Sequence, residues 1–254
     1  ILTTTILDAG LNIWTQIYGI DGEAANDYSG YSVSLSSDGS VVAIGAHNND
    51  GNGIDSGHVR IYQNKSGTWT KIGNDIDGEA NYDYSGFSVS LSSDGSVVAI
   101  GAYKNDGNGS NSGHVRIYRN NSGTWTKVGN DIDGESAWSY SGNSVSLSSD
   151  GSIVAIGAIN NSGNGIYSGH VRIYQNNGAW TKIGSDIDGE ATGDKSGYSV
   201  SLSSDGSVVA IGAKENSGNA ASSGHVRIYK NVNGSWTKIG DDIDGEATGD
   251  DSGN

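Results

Sequence analysis

Residues 32–46 read Ser32-Val33-Ser34-Leu35-Ser36-Ser37-Asp38-Gly39-Ser40-Val41-Val42-Ala43-Ile44-Gly45-Ala46, and the chain repeats this stretch three more times with almost no change. Its first five residues alternate with period two, which puts Val33 and Leu35 on one face of a strand. Ser37-Asp38-Gly39-Ser40 reads as a tight reversal in which glycine is free to take positive φ. Val41 to Ala46 is apolar and β-branched without interruption, as expected of a strand covered on both faces. Downstream, His58-Val59-Arg60-Ile61-Tyr62 alternates again, and Trp69-Thr70-Lys71-Ile72 supplies a fourth strand with a large aromatic. No stretch shows a 3.6-residue period. Four short antiparallel strands per unit, labelled a to d and repeated radially, predict an all-β fold, a β-propeller of four-stranded antiparallel blades.

The repeat length follows from the tetrapeptide Ile-Asp-Gly-Glu, whose Asp falls at Asp21, Asp77, Asp133, Asp188 and Asp244, at intervals of 56, 56, 55 and 56 residues. Four full units of about 56 residues are expected at about 28–74, 84–130, 140–185 and 195–240, with a partial repeat at 241–254. Residues 1–18 hold an orphan d-like strand around Trp14, expected either to close a blade or to serve as a donor strand to a neighbouring molecule. Residues 19–254 make up the propeller repeats. A donor strand on one surface and an open edge on another would join copies head to tail into a filament.

Composition excludes several classes. There is no cysteine, so no disulfide, thiolate nucleophile or Cys-ligated metal. A formal charge of -15 disfavours nucleic acid and anionic membranes as partners. No apolar run approaches the roughly 20 residues of a membrane span. The chain begins at Ile1 and lacks methionine altogether, which points to a processed or excised segment and to an expected extracellular or cell-surface location.

The order Ser-Gly-x-Ser-Val-x-Leu, Asp-Gly, Val-Ala-Ile-Gly-Ala, Gly-x-Val-x-Ile-Tyr, Trp resembles the FG-GAP repeats of integrin α-chain-like β-propellers over about Trp14 to Asn254. Ser29-Gly30, Ser85-Gly86, Ser141-Gly142 and Ser196-Gly197 stand at the family's Phe-Gly. Its Gly-Ala-Pro is matched as far as Gly45-Ala46, Gly101-Ala102, Gly157-Ala158 and Gly212-Ala213. The resemblance implies a propeller and, by analogy, adhesion. The family's Ca²⁺ loop between strands a and b is not matched, because that turn holds only Asp38, Asp94, Asp150 or Asp205 as a carboxylate.

Candidate sites concentrate in the d-to-a connections, which carry 20 of the 29 acidic residues. Asp75, Asp77, Glu79 and Asp83, and likewise Asp186, Asp188, Glu190 and Asp194, offer alternating oxygens of the kind Ca²⁺ takes, so Ca²⁺ is the one cofactor expected. The bland alternative is a solvated turn fixed by Asp and Gly. His58/Arg60, His114/Arg116, His170/Arg172 and His225/Arg227 recur unchanged beside Tyr62, Tyr118, Tyr174 and Tyr229, which suits pairing between blades or with the acidic loops better than catalysis, since a catalytic centre needs one asymmetric arrangement. Trp69, Trp125, Trp180 and Trp236 fit inter-blade packing or sugar stacking. Trp138 departs from the repeat and is the candidate exposed ligand contact. Asn64, Asn108, Asn120, Asn160 and Asn233 begin glycosylation sequons expected in loops.

The expectation is therefore a non-catalytic extracellular structural or adhesive repeat protein, not an enzyme, whose partners are other copies of itself or a cell-surface protein or glycan. The alternative is a multivalent lectin-like or Ca²⁺-dependent ligand-binding propeller, and a hydrolase ranks last.

Overall fold

Strand b explains the architecture, because its two faces pack against two different neighbours. In the computed structural model, which describes residues 19–254, Val97 and Ala99 join a core with Val145, Leu147, Val154 and Ile156 of the following blade. Val98 and Ile100, one residue out of phase, join a core with Val41, Val59 and Ile61 of the preceding blade. An uninterrupted apolar strand is thus what a blade needs when it is sandwiched between two others.

Each blade is one antiparallel sheet in sequence order. The first comprises β1 (Ser32–Leu35), β2 (Val41–Ala46), β3 (His58–Lys65) and β4 (Thr68–Lys71), with the short β5 (Ile76–Asp77) also paired to β3. The second comprises β6 (Ser88–Leu91), β7 (Val97–Ala102), β8 (His114–Asn121), β9 (Thr124–Lys127) and β10 (Ile132–Asp133). The third comprises β11 (Ser141–Leu147), β12 (Ile153–Ala158), β13 (His170–Asn176), β14 (Trp180–Lys182) and β15 (Ile187–Asp188). The fourth comprises β16 (Ser199–Leu202), β17 (Val208–Ala213), β18 (His225–Val232), β19 (Ser235–Lys238) and β20 (Ile243–Asp244). There is no helix among the described residues, and the expected all-β propeller of four-stranded blades is the fold observed. The orphan strand expected within residues 1–18 lies outside the described residues.

Two features differ from the sequence reading. The Ile-Asp of the last four Ile-Asp-Gly-Glu tetrapeptides is not loop. Ile76 and Asp77 pair with Val59 and His58, so strand d resumes along β3 after the polar interruption at Gly73-Asn74-Asp75. Second, among the described residues, the apolar face of strand a is covered best in the middle blades: Leu91 and Leu147 are each 7% exposed, whereas Leu35 is 59% exposed.

The serines of strand a stitch blades together. Ser88 Oγ donates to the Gly142 carbonyl (2.8 Å), Ser144 Oγ to that of Gly197 (2.7 Å), and the Leu91 and Leu147 amides donate to Ser34 and Ser90 Oγ (2.9 and 3.0 Å). At the a–b turn, Ser92 Oγ donates to Asp94 (2.7 Å) and accepts from the Val97 amide (2.9 Å), with Ser92 fully buried. Ser92→Ala would leave that buried amide unpaired, so we expect a loss of about 2 kcal/mol. The readout is a lowered urea midpoint at unchanged slope. An unmoved midpoint would show that the hydroxyl is dispensable.

Candidate functional site

Strand c carries the chemistry. Alternation sends Val115 and Ile117 into the core shared with the next blade, and leaves His114, Arg116 and Tyr118 on the face towards the previous one. Arg116 is buried, donates to the Asp77 carbonyl (2.6 Å) and pairs with Glu79 (3.5 Å), both from the blade before. Arg60, Arg172 and Arg227 repeat the contact on Asp21, Asp133 and Asp188 (2.8 Å each), and pair with Glu23, Glu135 and Glu190 at 3.2–3.4 Å. Each guanidinium also lies 5.6–5.8 Å from the ring centre of the tyrosine two residues on. The recurring His/Arg/Tyr group is thus a joint between blades.

The same glutamates reach the histidines. Glu23–His58–Asp75, Glu79–His114–Asp131, Glu135–His170–Asp186 and Glu190–His225–Asp242 each bring one nitrogen and two carboxylate oxygens within 4.8 Å of one another. All four histidines are buried. Burial first, then the neighbouring Arg116 or Arg172, lowers the His114 and His170 pKa to about 4, so these rings are neutral at pH 7. The aspartates are tied on their outer side by Lys71–Asp75 (2.7 Å), Lys127–Asp131 (2.8 Å) and Lys182–Asp186 (2.6 Å).

The acids singled out within one loop therefore part company. Asp75 and Asp77 stay with His58 of their own blade, and Glu79 crosses to His114 and Arg116 of the next. Asp83 is held inside the turn by the Glu79 and Ala80 amides (3.1 and 2.9 Å) and by Asn105 (3.1 Å). Asp186, Asp188, Glu190 and Asp194 divide in the same way, with Asp194 accepting from the Glu190 and Ala191 amides (3.0 and 2.7 Å). These acids gather around the histidines at a spacing visible in the sequence: Glu and His stand 35 residues apart in every repeat. At the a–b turn, where the resemblance implies Ca²⁺, Asp38 already accepts from Ser36 Oγ (2.7 Å) and the Ser40 amide (2.9 Å), which hold its pKa down at about 2. One carboxylate so engaged does not fit an ion that takes six to eight oxygens.

Between blades the described residues also form repeated grooves. One of about 290 Å³ runs along 73–77 beneath Tyr118, Thr124 and Trp125, one of about 230 Å³ along 130–133 beneath Tyr174 and Trp180, and one of about 260 Å³ along 185–188 beneath Tyr229 and Trp236. Each tryptophan is half-buried, its indole N–H donating to Ile72, Val128 or Ile183 of the preceding blade at 2.8–3.0 Å, which fixes the ring plane. A roomier groove of about 510 Å³ beside Gln63, Lys65, Asp94 and Asn120 has no aromatic wall. Trp138 is 54% exposed and lies outside the aromatic grooves. Of the sequon asparagines, Asn64 and Asn120 sit at the ends of β3 and β8, not in loops. Strand c runs on into a hairpin there, whose Gly67 and Gly123 amides those side chains accept (2.8 and 2.7 Å).

A family model for the FG-GAP repeat matches residues 17–62 and 75–118, two successive copies of the unit described above. The chain carries FG-GAP repeats over these residues. No curated protein sequence matches it. Among solved structures, the FG-GAP chain is similar to a Bacteroides uniformis protein assigned as a 6-phosphogluconolactonase (TM-score 0.58, 13% identity, 84% of this chain and 54% of that one). It is also similar to the periplasmic gluconolactonase of Pseudomonas aeruginosa (0.55, 16%, 84% and 56%) and to Kuenenia stuttgartiensis hydrazine synthase (0.56, 12%, 91% and 52%). The chain spans about half the length of these structures, and at such identities they show a shared fold. They correct the expectation that the FG-GAP chain is not an enzyme. The fold carries gluconolactonases, so fourfold repetition of its polar groups gives no ground for excluding catalysis.

Proposed function

We propose that this FG-GAP repeat chain is a multivalent carbohydrate-binding platform of the cell surface or extracellular space, which holds neutral glycans in the grooves between its blades. The observation that carries this reading is the recurrence, at three successive boundaries, of one groove with a fixed tryptophan, a tyrosine and a pair of aspartates. An indole face suits the C–H face of a sugar ring, and carboxylates accept its hydroxyls. The chain's charge of -15 turns away sialylated or sulfated glycans. Several weak sites on one rigid body gain avidity of about 10²–10⁴ on a surface that engages two of them at once, which is what an adhesive role needs.

The test is a glycan array probed with the untagged chain. Binding confined to neutral glycans is expected, falling at least about tenfold in a Trp125→Leu/Trp180→Leu/Trp236→Leu variant whose circular dichroism matches the parent. An empty array, or equal binding by the variant, would overturn the reading.

A further inference from the structure

Of the four histidine clusters, the one at the boundary of the second and third blades is the most complete. His170 is 0% exposed, and neither ring nitrogen has a hydrogen-bond partner. Its Nδ1 faces three carboxylate oxygens at nearly one distance: Glu135 Oε2 at 3.9 Å, Asp186 Oδ2 at 3.8 Å and Asp188 Oδ1 at 3.9 Å. That is too far for a hydrogen bond. A buried imidazole nitrogen left unpaired among acceptors costs free energy, unless something sits between them that all four atoms can bind.

We propose that His170 Nδ1, Glu135, Asp186 and Asp188 form a site for a divalent transition-metal ion, with Zn²⁺ as the test case. One imidazole nitrogen and three carboxylate oxygens are a donor set that zinc takes in tetrahedral geometry, whereas Ca²⁺ takes oxygens alone. Two of the three carboxylates are already oriented by their other oxygen. Glu135 gives Oε1 to Arg172 (3.4 Å) and turns Oε2, which also accepts from Asn161 Nδ2 (3.4 Å), to the site, and Asp186 gives Oδ1 to Lys182 (2.6 Å) and turns Oδ2 to it. Outer partners of this kind are what fix ligand direction in metal centres. Three carboxylates against Arg172 and Lys182 also leave one negative charge for the ion to neutralise.

Bonds of about 2.1 Å would place tetrahedral ligands about 3.4 Å apart, so the 3.8–3.9 Å from His170 Nδ1 to each carboxylate has to shorten by about half an ångström, and Asp188, outside the tighter group of Glu135, His170 and Asp186, has to swing in further. Glu135 and Asp188 have room to do so, each side chain being 40% exposed. The ligands come from two blades: Glu135 follows β10 of the second, while His170 on β13 and Asp186 and Asp188 around β15 belong to the third. A bound ion would rivet one blade to the next. Asp186 and Asp188 also line the third aromatic groove, but the metal site does not rest on the glycan reading, because no tryptophan is a ligand.

The test uses the untagged chain, stripped with chelator, dialysed against zinc alone and measured for metal content and for zinc affinity by calorimetry. Glu135→Gln and His170→Gln are each expected to bind one equivalent fewer than the parent, or that equivalent at least about tenfold more weakly, with the Trp→Leu variant unchanged. The parent's melting temperature should rise with zinc, and that of Glu135→Gln by less. Glu135→Gln lies on an exposed loop and keeps the test valid if His170→Gln fails to fold. A parent that retains no zinc, or a Glu135→Gln variant with the parent's content and affinity, overturns the site.

Discussion

Gly157→Ala is expected to destabilise the chain by about 3 kcal/mol or more, among the largest effects of any single methyl group. Gly157 lies within β12 where the next blade's backbone crosses it. A Cβ there would stand 2.0 Å from the Gly197 carbonyl oxygen and 2.4 Å from Ser144 Oγ. These two atoms are hydrogen-bonded to each other at 2.7 Å. The obstruction is backbone that cannot swing aside, so relief requires the third and fourth blades to separate. Gly45, Gly101 and Gly212 meet the same geometry against Gly86, Gly142 and Gly253, at 2.0–2.1 Å. The Gly-Ala at the end of every strand b therefore marks a point of inter-blade contact. For a chain of this size the loss corresponds to a fall in melting temperature of roughly 6–12 °C. Gly178→Ala is the control: its φ is +97°, but a Cβ there meets nothing within 4 Å. Denaturant midpoints of the two variants separate the clash from backbone strain, and equal shifts would refute the close-approach account.

Acid is expected to unfold the chelator-treated chain from about pH 6.5 downwards. His114 and His170 have folded pKa values of about 4 against an ordinary 6.5, because burial, assisted by Arg116 with Lys127 and by Arg172 with Lys182, outweighs the attraction of Asp131 and Asp186. Between those values the unfolded chain holds the proton and the folded chain does not, so stability is full above the unfolded pKa and drains away as pH falls towards 4. Each ring accounts for about 3 kcal/mol across that window. Burial lowers His47, His58 and His225 in the same direction. Asp133 and Asp188, raised by burial and by the neighbouring Asp131 and Asp186, act with opposite sign near their own pKa. Below pH 4 the turn carboxylates take over: Asp38 and Asp205, held at about 2 by serine hydroxyls and an amide, lose their bonds when protonated. Urea midpoints at pH 7.5 and pH 4.5 should differ widely in the parent and much less in a His114→Gln/His170→Gln variant. Equal midpoints in the parent would contradict the buried neutral imidazoles.

How much of this could be read from residues alone depended on whether the partner lay inside the repeat or across a blade boundary. Period two in Ser88–Leu91 and the apolar run Val97–Ala102 are properties of single strands, and they identified the blade directly. The resumption of strand d at Ile76–Asp77 was hidden, because it depends on pairing with Val59 and His58 beyond a polar interruption. The acidic loop looked like one cage because Asp75, Asp77, Glu79 and Asp83 are close in sequence. The chain in fact delivers Asp77 to one blade and Glu79 to the next, and consumes Asp83 in the turn between. The grooves were legible only as a recurring tryptophan. That Trp180 leans on Val128 with its ring facing Asp131 and Asp133 required the inter-blade distance.

On the proposed function, each repeated blade boundary with its tryptophan groove holds one glycan. Native mass spectrometry of the full chain, titrated with the neutral glycan that binds best on the array, reads this as a count. At least three glycans adding in succession to one chain, and fewer in the Trp→Leu variant, is the predicted spectrum. Saturation at a single glycan, unchanged by the tryptophan substitutions, would contradict it.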